Sequence, residues 1–328
     1  MHILIIGAAG MVGRKLTANV VKAGRVGGKE IDKLTLADVI KPETVPYAGA
    51  VETIAADLSA PGTAQALIAS RPDLIFHLAA IVSGEAEADF EKGYRINLDG
   101  GRLLLEAIRL EGLNRPYFPK LVFTSSIAVF GAPFPEAIGD EFFATPLTSY
   151  GTQKAIVELL LNDYSRRGFV DGIGIRLPTI VIRPGKPNLA ASGFFSNILR
   201  EPLTGHEAVL PVSRDVRHWF ASPRSAVGFL LHAAELDSQA LGWRRTLSAP
   251  GLSATVGEEI EALRRVAGDK AVRLIREEAD EKINKMVAGW PRNFDAHRAV
   301  SLGFRTEASF DEIIRFHIED ELGGHIAV

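Results

Sequence analysis

Apolar positions along the chain alternate between two patterns. Short continuous runs at Ile3–Ile6, Leu34–Ala37, Val51–Ala55, Leu74–Leu78 and Leu121–Thr124 have the length and boundaries of strands, and Ile173–Ile182 adds another. Between the runs, apolar residues recur at helical spacing. Val12, Leu16 and Val20 predict a helix over about 12–23, and further helices are expected at about 61–70, 86–113 and 150–167. Strands alternating with helices predict βαβ units and a parallel sheet with helices on both faces. Near-continuous strands such as LIIG and LIFHLAA suit a sheet buried on both sides. After about residue 183 the pattern changes. RPGKPNLAASG is loop chemistry, Pro202, Pro211 and Pro223 punctuate short elements, and the tail from about 253 reads as amphipathic helix with one β-like stretch at Val272–Ile275. The expectation is an α/β chain: a Rossmann-like doubly wound parallel sheet with a smaller, interleaved C-terminal α+β substrate region. The first domain is expected at 1–176 and about 219–250, the second at about 177–218 and 251–328.

Composition narrows the class. The 328 residues are 47% hydrophobic and 23% charged, which excludes a disordered chain. A net charge of −3 gives no basic field for nucleic acid or an anionic membrane. No apolar run approaches the ~20 residues of a membrane span, and MHILIIGAAG lacks the basic start of a signal peptide. With no cysteine, disulfides, thiolate metal sites and a cysteine nucleophile are excluded, and a reducing cytoplasm is the expected location. No histidine–carboxylate spacing suggests a metal, and there is no internal repeat.

Candidate chemistry starts at the first strand–helix junction. Gly7, Gly10 and Gly13 form GAAGMVG directly after the first strand. Glycines there let a backbone approach a pyrophosphate, and the helix N-terminus offers unpaired N–H groups. Asp38 ends the second strand about 25 residues further on, where an acid bonds ribose hydroxyls and repels a 2′-phosphate, favouring NAD over NADP. Asp57 and Leu58 follow the third strand and could flank an adenine, although an aspartate capping the next helix reads nearly as well. Tyr150 and Lys154 stand four apart on an expected helix and so share a face. An ammonium beside a phenol favours the phenolate and makes it usable as a base. Ser126, at a strand end, could hold a substrate oxygen.

GAAGMVG, Asp38, HLAA at 77–80, Asn97 in INLDG, TSS at 124–126 and YGTQK at 150–154 together resemble the extended short-chain dehydrogenases/reductases, the NAD-dependent epimerase/dehydratase family. The resemblance spans essentially the whole chain, including FDAHRAVSLGF at 294–304. It implies NAD as cofactor, held by Gly7, Gly10, Met11, Val12, Gly13, Asp38, Asp57, Leu58, Leu78, Ala79, Ala80, Asn97, Ser125, Tyr150, Lys154, Leu177 and Pro178. It implies Tyr150 as general acid/base, Lys154 on the nicotinamide ribose, Ser126 polarising the reacting oxygen with Ser125 as alternative, and Asn97 supporting the active-site helix. It also implies a homodimer through the helices at about 90–113 and 150–167.

Within that family, sugar-nucleotide enzymes usually carry R-[FY]-F-N-V-Y-G-P after the sixth strand. Here the stretch runs from Arg176 to Gly185, with Thr179 at the asparagine position. Their later R-D-[YF]-[IV]-H-V-x-D is replaced by the run from Arg217 through His218 and Trp219 to Arg224. RPGKPN and GWPRNFD, at 183–188 and 289–295, resemble instead a branch acting on four-carbon sugar acids. That resemblance implies NAD-dependent oxidation of a D-erythronate-like aldonate at its C2 hydroxyl to the 2-oxo acid. Ser83, Ser126, Lys186, Asn188, Ser192 and Arg217 are the expected substrate contacts, with a structural ion pair as the other reading of Arg217. Trp219, Trp290 and His77 read as core residues, His77 as a hydrogen-bonded one. Arg264, Arg265 and the run Glu277–Glu281 read as solvated helix faces. The alternatives are a nucleoside-diphosphate-sugar epimerase or dehydratase that keeps its NAD, and a cofactor-binding regulator without catalysis.

Overall fold

The first apolar run becomes strand β1 (His2–Ile6), whose Ile3, Leu4 and Ile5 are wholly buried, as a sheet covered on both faces requires. The structure is a computed structural model, and it describes residues 1–185 and 192–328. Strands β2 (Lys33–Asp38), β3 (Ala50–Ala55), β4 (Leu74–His77), β5 (Lys120–Ser126), β6 (Asp171–Leu177) and β7 (Thr246–Ser248) complete a seven-stranded sheet. Its order is β7-β6-β5-β4-β1-β2-β3. The pairs β1–β2, β1–β4, β2–β3 and β4–β5 are parallel. Strand order reverses between β1 and β4, and a crevice at the carboxyl ends of the strands on either side of such a reversal is where open α/β sheets bind ligands.

Helices α1 (Met11–Ala23), α2 (Thr63–Ile68), α3 (Gly100–Asn114) and α4 (Ser149–Arg166) alternate with these strands. Leu4, Ile6, Ile75 and Phe123 of the strands pack with Leu67 and Ile68 of α2, Leu104 and Ile108 of α3, and Val157 and Leu161 of α4. Local chemistry sets the helix ends. α1 stops at Gly24, which takes φ 66° and donates its N–H to the Val20 carbonyl. α4 starts at Thr148, whose hydroxyl accepts the Gly151 N–H. The single helix expected over 86–113 is broken into Ser83–Ala88, Phe90–Gly93, a π-helical segment Tyr94–Asp99 and α3. Asp89 interrupts it by leaving the helical region and capping the Lys92 N–H. The π segment turns Asn97 inward, and such irregular turns cluster at functional positions.

The chain divides into two compact units. The first comprises Met1–Val129, Thr148–Arg176 and Val227–Leu247; the second comprises Phe130–Leu147, Leu177–Ala226 and Ser248–Val328. Segment 130–147, expected in the first, clusters with the second, where Ile138 bridges Phe294 and the Phe130 ring lies 5.6 Å from that of Phe294. The core of the second unit joins Phe195 and Ile198 of helix Gly193–Leu203 to Ile260 and Leu263 of helix Val256–Val272 and Ile313 and Ile314 of helix Phe310–Glu321. Strand Arg217–Ala221 pairs antiparallel with Leu252–Thr255 and parallel with Thr179–Ile180. The β-like stretch expected at Val272–Ile275 appears as strand Ile275–Glu277, paired with Ala208–Leu210. No helix of the described residues is long and apolar enough to cross a membrane.

Candidate active site

The glycine loop is built by close packing. Gly7 takes φ +92°, and a Cβ there would lie 2.6 Å from the Ala79 backbone nitrogen. A Cβ on Gly13 would lie 2.1 Å from the Gly7 carbonyl oxygen. Only hydrogen fits at both positions, so the loop between β1 and α1 is drawn tight against the start of the helix. Gly10 is the N-cap and supplies no side-chain cap. The first N–H groups of α1, at Met11, Val12 and Gly13, therefore point out of the helix with its positive dipole end, which is the chemistry of a pyrophosphate cradle.

Asp38 reaches back to this loop: its Oδ2 accepts the Ala9 N–H at 2.9 Å. The acid at the end of β2 is thereby fixed beside the cradle, in the place suited to ribose hydroxyls. A tight loop, an open helix terminus and an anchored acid fit a dinucleotide. Leu78 and Ala79 are half-buried, and the Leu78 N–H bonds the Ile6 carbonyl, so this segment lies against the glycine loop. Asp57 accepts from the Ser59 N–H and hydroxyl, and Arg95 lies 2.8 Å from its Oδ2. Burial alone would raise its pKa, but the hydrogen bonds from Ser59 and Arg95 outweigh burial and hold it low. Leu58 is buried in the core, leaving its backbone as the part able to face a ligand. Asn97 accepts the Ile81 N–H at 2.9 Å and donates to Gln153 Oε1 on α4 at 2.8 Å.

Tyr150 and Lys154 share one face of α4, and Ser126 ends β5. Lys154 is buried, and its Nζ donates to the Thr124 carbonyl at 2.9 Å and sits 5.7 Å from the Tyr150 ring centroid. Burial lowers its pKa to about 7, against the pull of Glu158, which favours the charge. The two candidate serines are sorted by their partners. Ser125 is buried and gives its hydroxyl hydrogen to Glu158, whereas Ser126 is half-buried and accepts the Ala128 N–H. Ser126 thus retains a donor hydrogen for a substrate oxygen. Sequence reasoning missed Glu158, although it stands one turn beyond Lys154 on the same face, and Arg176, which clamps it. His77 is buried as expected, but its Nδ1 has no hydrogen-bond partner, which corrects the reading of a fully bonded core histidine. Burial, aided by the Lys154 charge, pushes its pKa down to about 3 and keeps it neutral.

The described members of the expected substrate set divide between the two units. Ser83 opens the helix Ser83–Ala88 and is half-buried. Lys186 and Asn188 lie outside the described residues. In the second unit, Leu177 closes β6 and Pro178 is buried after it. Ser192 accepts from Arg183 Nη2 at 2.8 Å. Arg217 donates to the Ser253 carbonyl at 3.0 Å and lies 3.3 Å from Glu258. Thr179 and His218, at the two positions that depart from the sugar-nucleotide pattern, meet at 2.6 Å. His218 Nδ1 lies 2.8 Å from the Pro291 carbonyl. A carbonyl only accepts, so Nδ1 carries the hydrogen, and Nε2 accepts from the Thr179 hydroxyl. Burial lowers the His218 pKa to about 4. Trp219 is buried beside Phe294, with ring centroids 5.4 Å apart, and Trp290 packs partly buried on the core of the second unit.

Sheet order, glycine cradle, anchored acid and Tyr–Lys pair define a dinucleotide-dependent enzyme of the short-chain type. Residues 3–237 match the model of the NAD dependent epimerase/dehydratase family, and the chain belongs to that family. It is an NAD-dependent oxidoreductase of the extended short-chain dehydrogenase/reductase type. It is 47% identical over 324 residues to D-erythronate dehydrogenase of Cupriavidus necator, covering 98% of each chain. It is 44% identical over 322 residues to D-erythronate dehydrogenase of Haemophilus influenzae, covering 98% of this chain and 100% of the relative. Among solved structures, one described as the nucleoside-diphosphate-sugar epimerase from Agrobacterium tumefaciens superposes with a TM-score of 0.97 at 69% identity, covering 99% of this chain and 95% of that one. L-threonine dehydrogenase from Clostridium difficile shares the fold, with a TM-score of 0.84 at 21% identity and 99% of each chain covered.

Proposed function

We propose that this protein oxidises a small sugar acid, D-erythronate or a close aldonate, at its C2 hydroxyl to the 2-oxo acid, using NAD. The observation that carries this reading is near full-length identity of 47% and 44% to two D-erythronate dehydrogenases. The second unit supports it, because Thr179, at the nucleotide-sugar asparagine position, commits its hydroxyl hydrogen to His218, which departs from the later sugar-nucleotide motif. A site built to bond a nucleotide diphosphate loses much of its discrimination without those partners.

When bound, NAD supplies the hydride acceptor. The work of this chain's own side chains is then proton transfer and orientation. Ser126 donates to the substrate oxygen and fixes its direction. Tyr150, as phenolate, takes the hydroxyl proton while the C2–H bond gives up its electron pair. Lys154 favours that phenolate through its charge and holds the nicotinamide ribose. Arg217 offers a planar fork for the substrate carboxylate, in competition with Glu258. The protein works as a cytoplasmic homodimer joined through α3 and α4, whose Leu110, Leu113 and Leu159 are exposed.

The likeness to the Agrobacterium nucleoside-diphosphate-sugar epimerase favours a second reading, an enzyme that returns its hydride to a nucleotide sugar. Incubating the protein with NAD and either D-erythronate, L-threonate or UDP-galactose separates the two. NADH absorbance should rise with a four-carbon acid. Conversion of UDP-galactose to its epimer, with no NADH from either acid, would establish the epimerase instead.

A further inference from the structure

Tyr150, Lys154 and Glu158 occupy successive turns of one face of α4. Glu158 is buried, with its side chain 7% exposed, and both its oxygens are held. Arg176, near the end of β6, donates Nη2 to Oε2 at 2.7 Å and Nε to Oε1 at 3.0 Å. Ser125 donates its hydroxyl to Oε1. The residue before Ser125, Thr124, gives its carbonyl to Lys154 Nζ. Consecutive residues of β5 therefore grip the lysine and the glutamate, and β6 grips the glutamate again.

We propose that Glu158, clamped by Arg176 and Ser125, is a positioning residue that keeps Lys154 as an ammonium beside Tyr150; the catalytic consequence rests on the Tyr150 reading above. Two cations and one anion share this buried pocket of charge. A buried ammonium far from any carboxylate gives up its proton. Around Lys154 stand Tyr150 and Glu158 on its own helix, with Arg176 held on Glu158, and His77 on β4, and His77 is neutral. Among the described residues, Glu158 is thus the only carboxylate acting on it. Arg176 tempers that carboxylate, since a bidentate guanidinium offsets its charge. Opposite effects follow for the two partners. Without Glu158 the lysine loses its proton more readily; without Arg176 the carboxylate acts on Lys154 undiluted.

The test is a titration of Lys154 by NMR in full-length protein carrying 13Cε-labelled lysine, with the resonance assigned by its loss in Lys154→Met. Glu158→Gln should lower the Lys154 midpoint by about one pH unit, and Arg176→Gln should raise it. With D-erythronate and NAD, the acid limb of kcat against pH should move upward in Glu158→Gln by a similar amount. A folded Glu158→Gln protein whose Lys154 midpoint stays at the wild-type value overturns the proposal, as do shifts of the same sign in both variants. If Glu158→Gln does not fold, the sign of the Arg176→Gln shift decides alone. The NMR reading needs no turnover. A Tyr150→Phe protein that stays active therefore defeats the base assignment while the titration still judges Glu158.

Discussion

Individual side chains carry the chemistry, and two of them can be tested by small changes. Tyr150→Phe removes the phenolic oxygen and keeps the ring. kcat should fall by about 10²-fold or more, with NAD affinity nearly unchanged by fluorescence titration. Activity within a few-fold of wild type would assign the proton to another group. Asp38 has one oxygen on the Ala9 N–H, which both orients the carboxylate and holds the glycine loop. Asp38→Ala should therefore weaken NAD and narrow its preference over NADP, and equal affinity of the unmodified protein for both cofactors would refute the assignment. The sequence distinguishes Ser126 from Ser125 only by analogy. The structure does so by partner, since Ser125 is spent on Glu158. Arg217 shows the reverse case. The local sequence does not separate its two readings, ligand contact and structural ion pair, because its hydrogen bonds to Ser253 and Glu258 depend on strand register.

At the scale of elements, the junction of β1 and α1 is the most constrained piece. Gly13→Ala places a methyl group 2.1 Å from the Gly7 carbonyl oxygen, which is backbone and cannot swing aside. The loop must open, so NAD affinity should drop at least ~10-fold and the Tm of the NAD-free protein should also fall. An alanine variant that binds NAD normally would show that the loop is more yielding than its packing indicates. The strands and α4 were legible because continuous apolar runs and the 3.6-residue period need no distant partner to be seen. The break in the expected 86–113 helix was not, because the π turn is stabilised by tertiary contacts, Asn97 to Ile81 and to Gln153 among them. Strand β7 was missed because three residues give no period to read.

For the molecule as a whole, buried histidines couple stability to pH. Burial holds His77 and His218 neutral, with pKa values lowered to about 3 and about 4 from an ordinary 6.5. Below 6.5 the unfolded chain takes up protons that the folded one refuses, so stability present above that pH is lost as pH falls towards 4. The loss of Tm from pH 7.5 to pH 5 should be smaller in His218→Asn than in the unmodified protein. An unchanged slope in a folded His218→Asn protein would remove His218 from this account. Light scattering should give a mass twice that of one chain, and Leu159→Glu should halve it, because a charge on an apolar helix face opposes self-association; a monomeric wild type would rule out the homodimer.

What the sequence determined by itself was everything written in local code: the alternation that makes a parallel sheet, the glycines of the cradle, the acid at the end of β2, and the Tyr–Lys spacing on one helix face. Each is set by residues within a turn or a strand of one another. The tertiary structure alone decided which residues meet from afar. It brought Ser125, Arg176 and Glu158 together, joined Thr179 to His218 and His218 to Pro291, and gathered 130–147 with Phe294. The physical reason is that a buried polar group must find a partner wherever the fold supplies one, and that partner's position depends on strand order and register, which no neighbouring residue encodes.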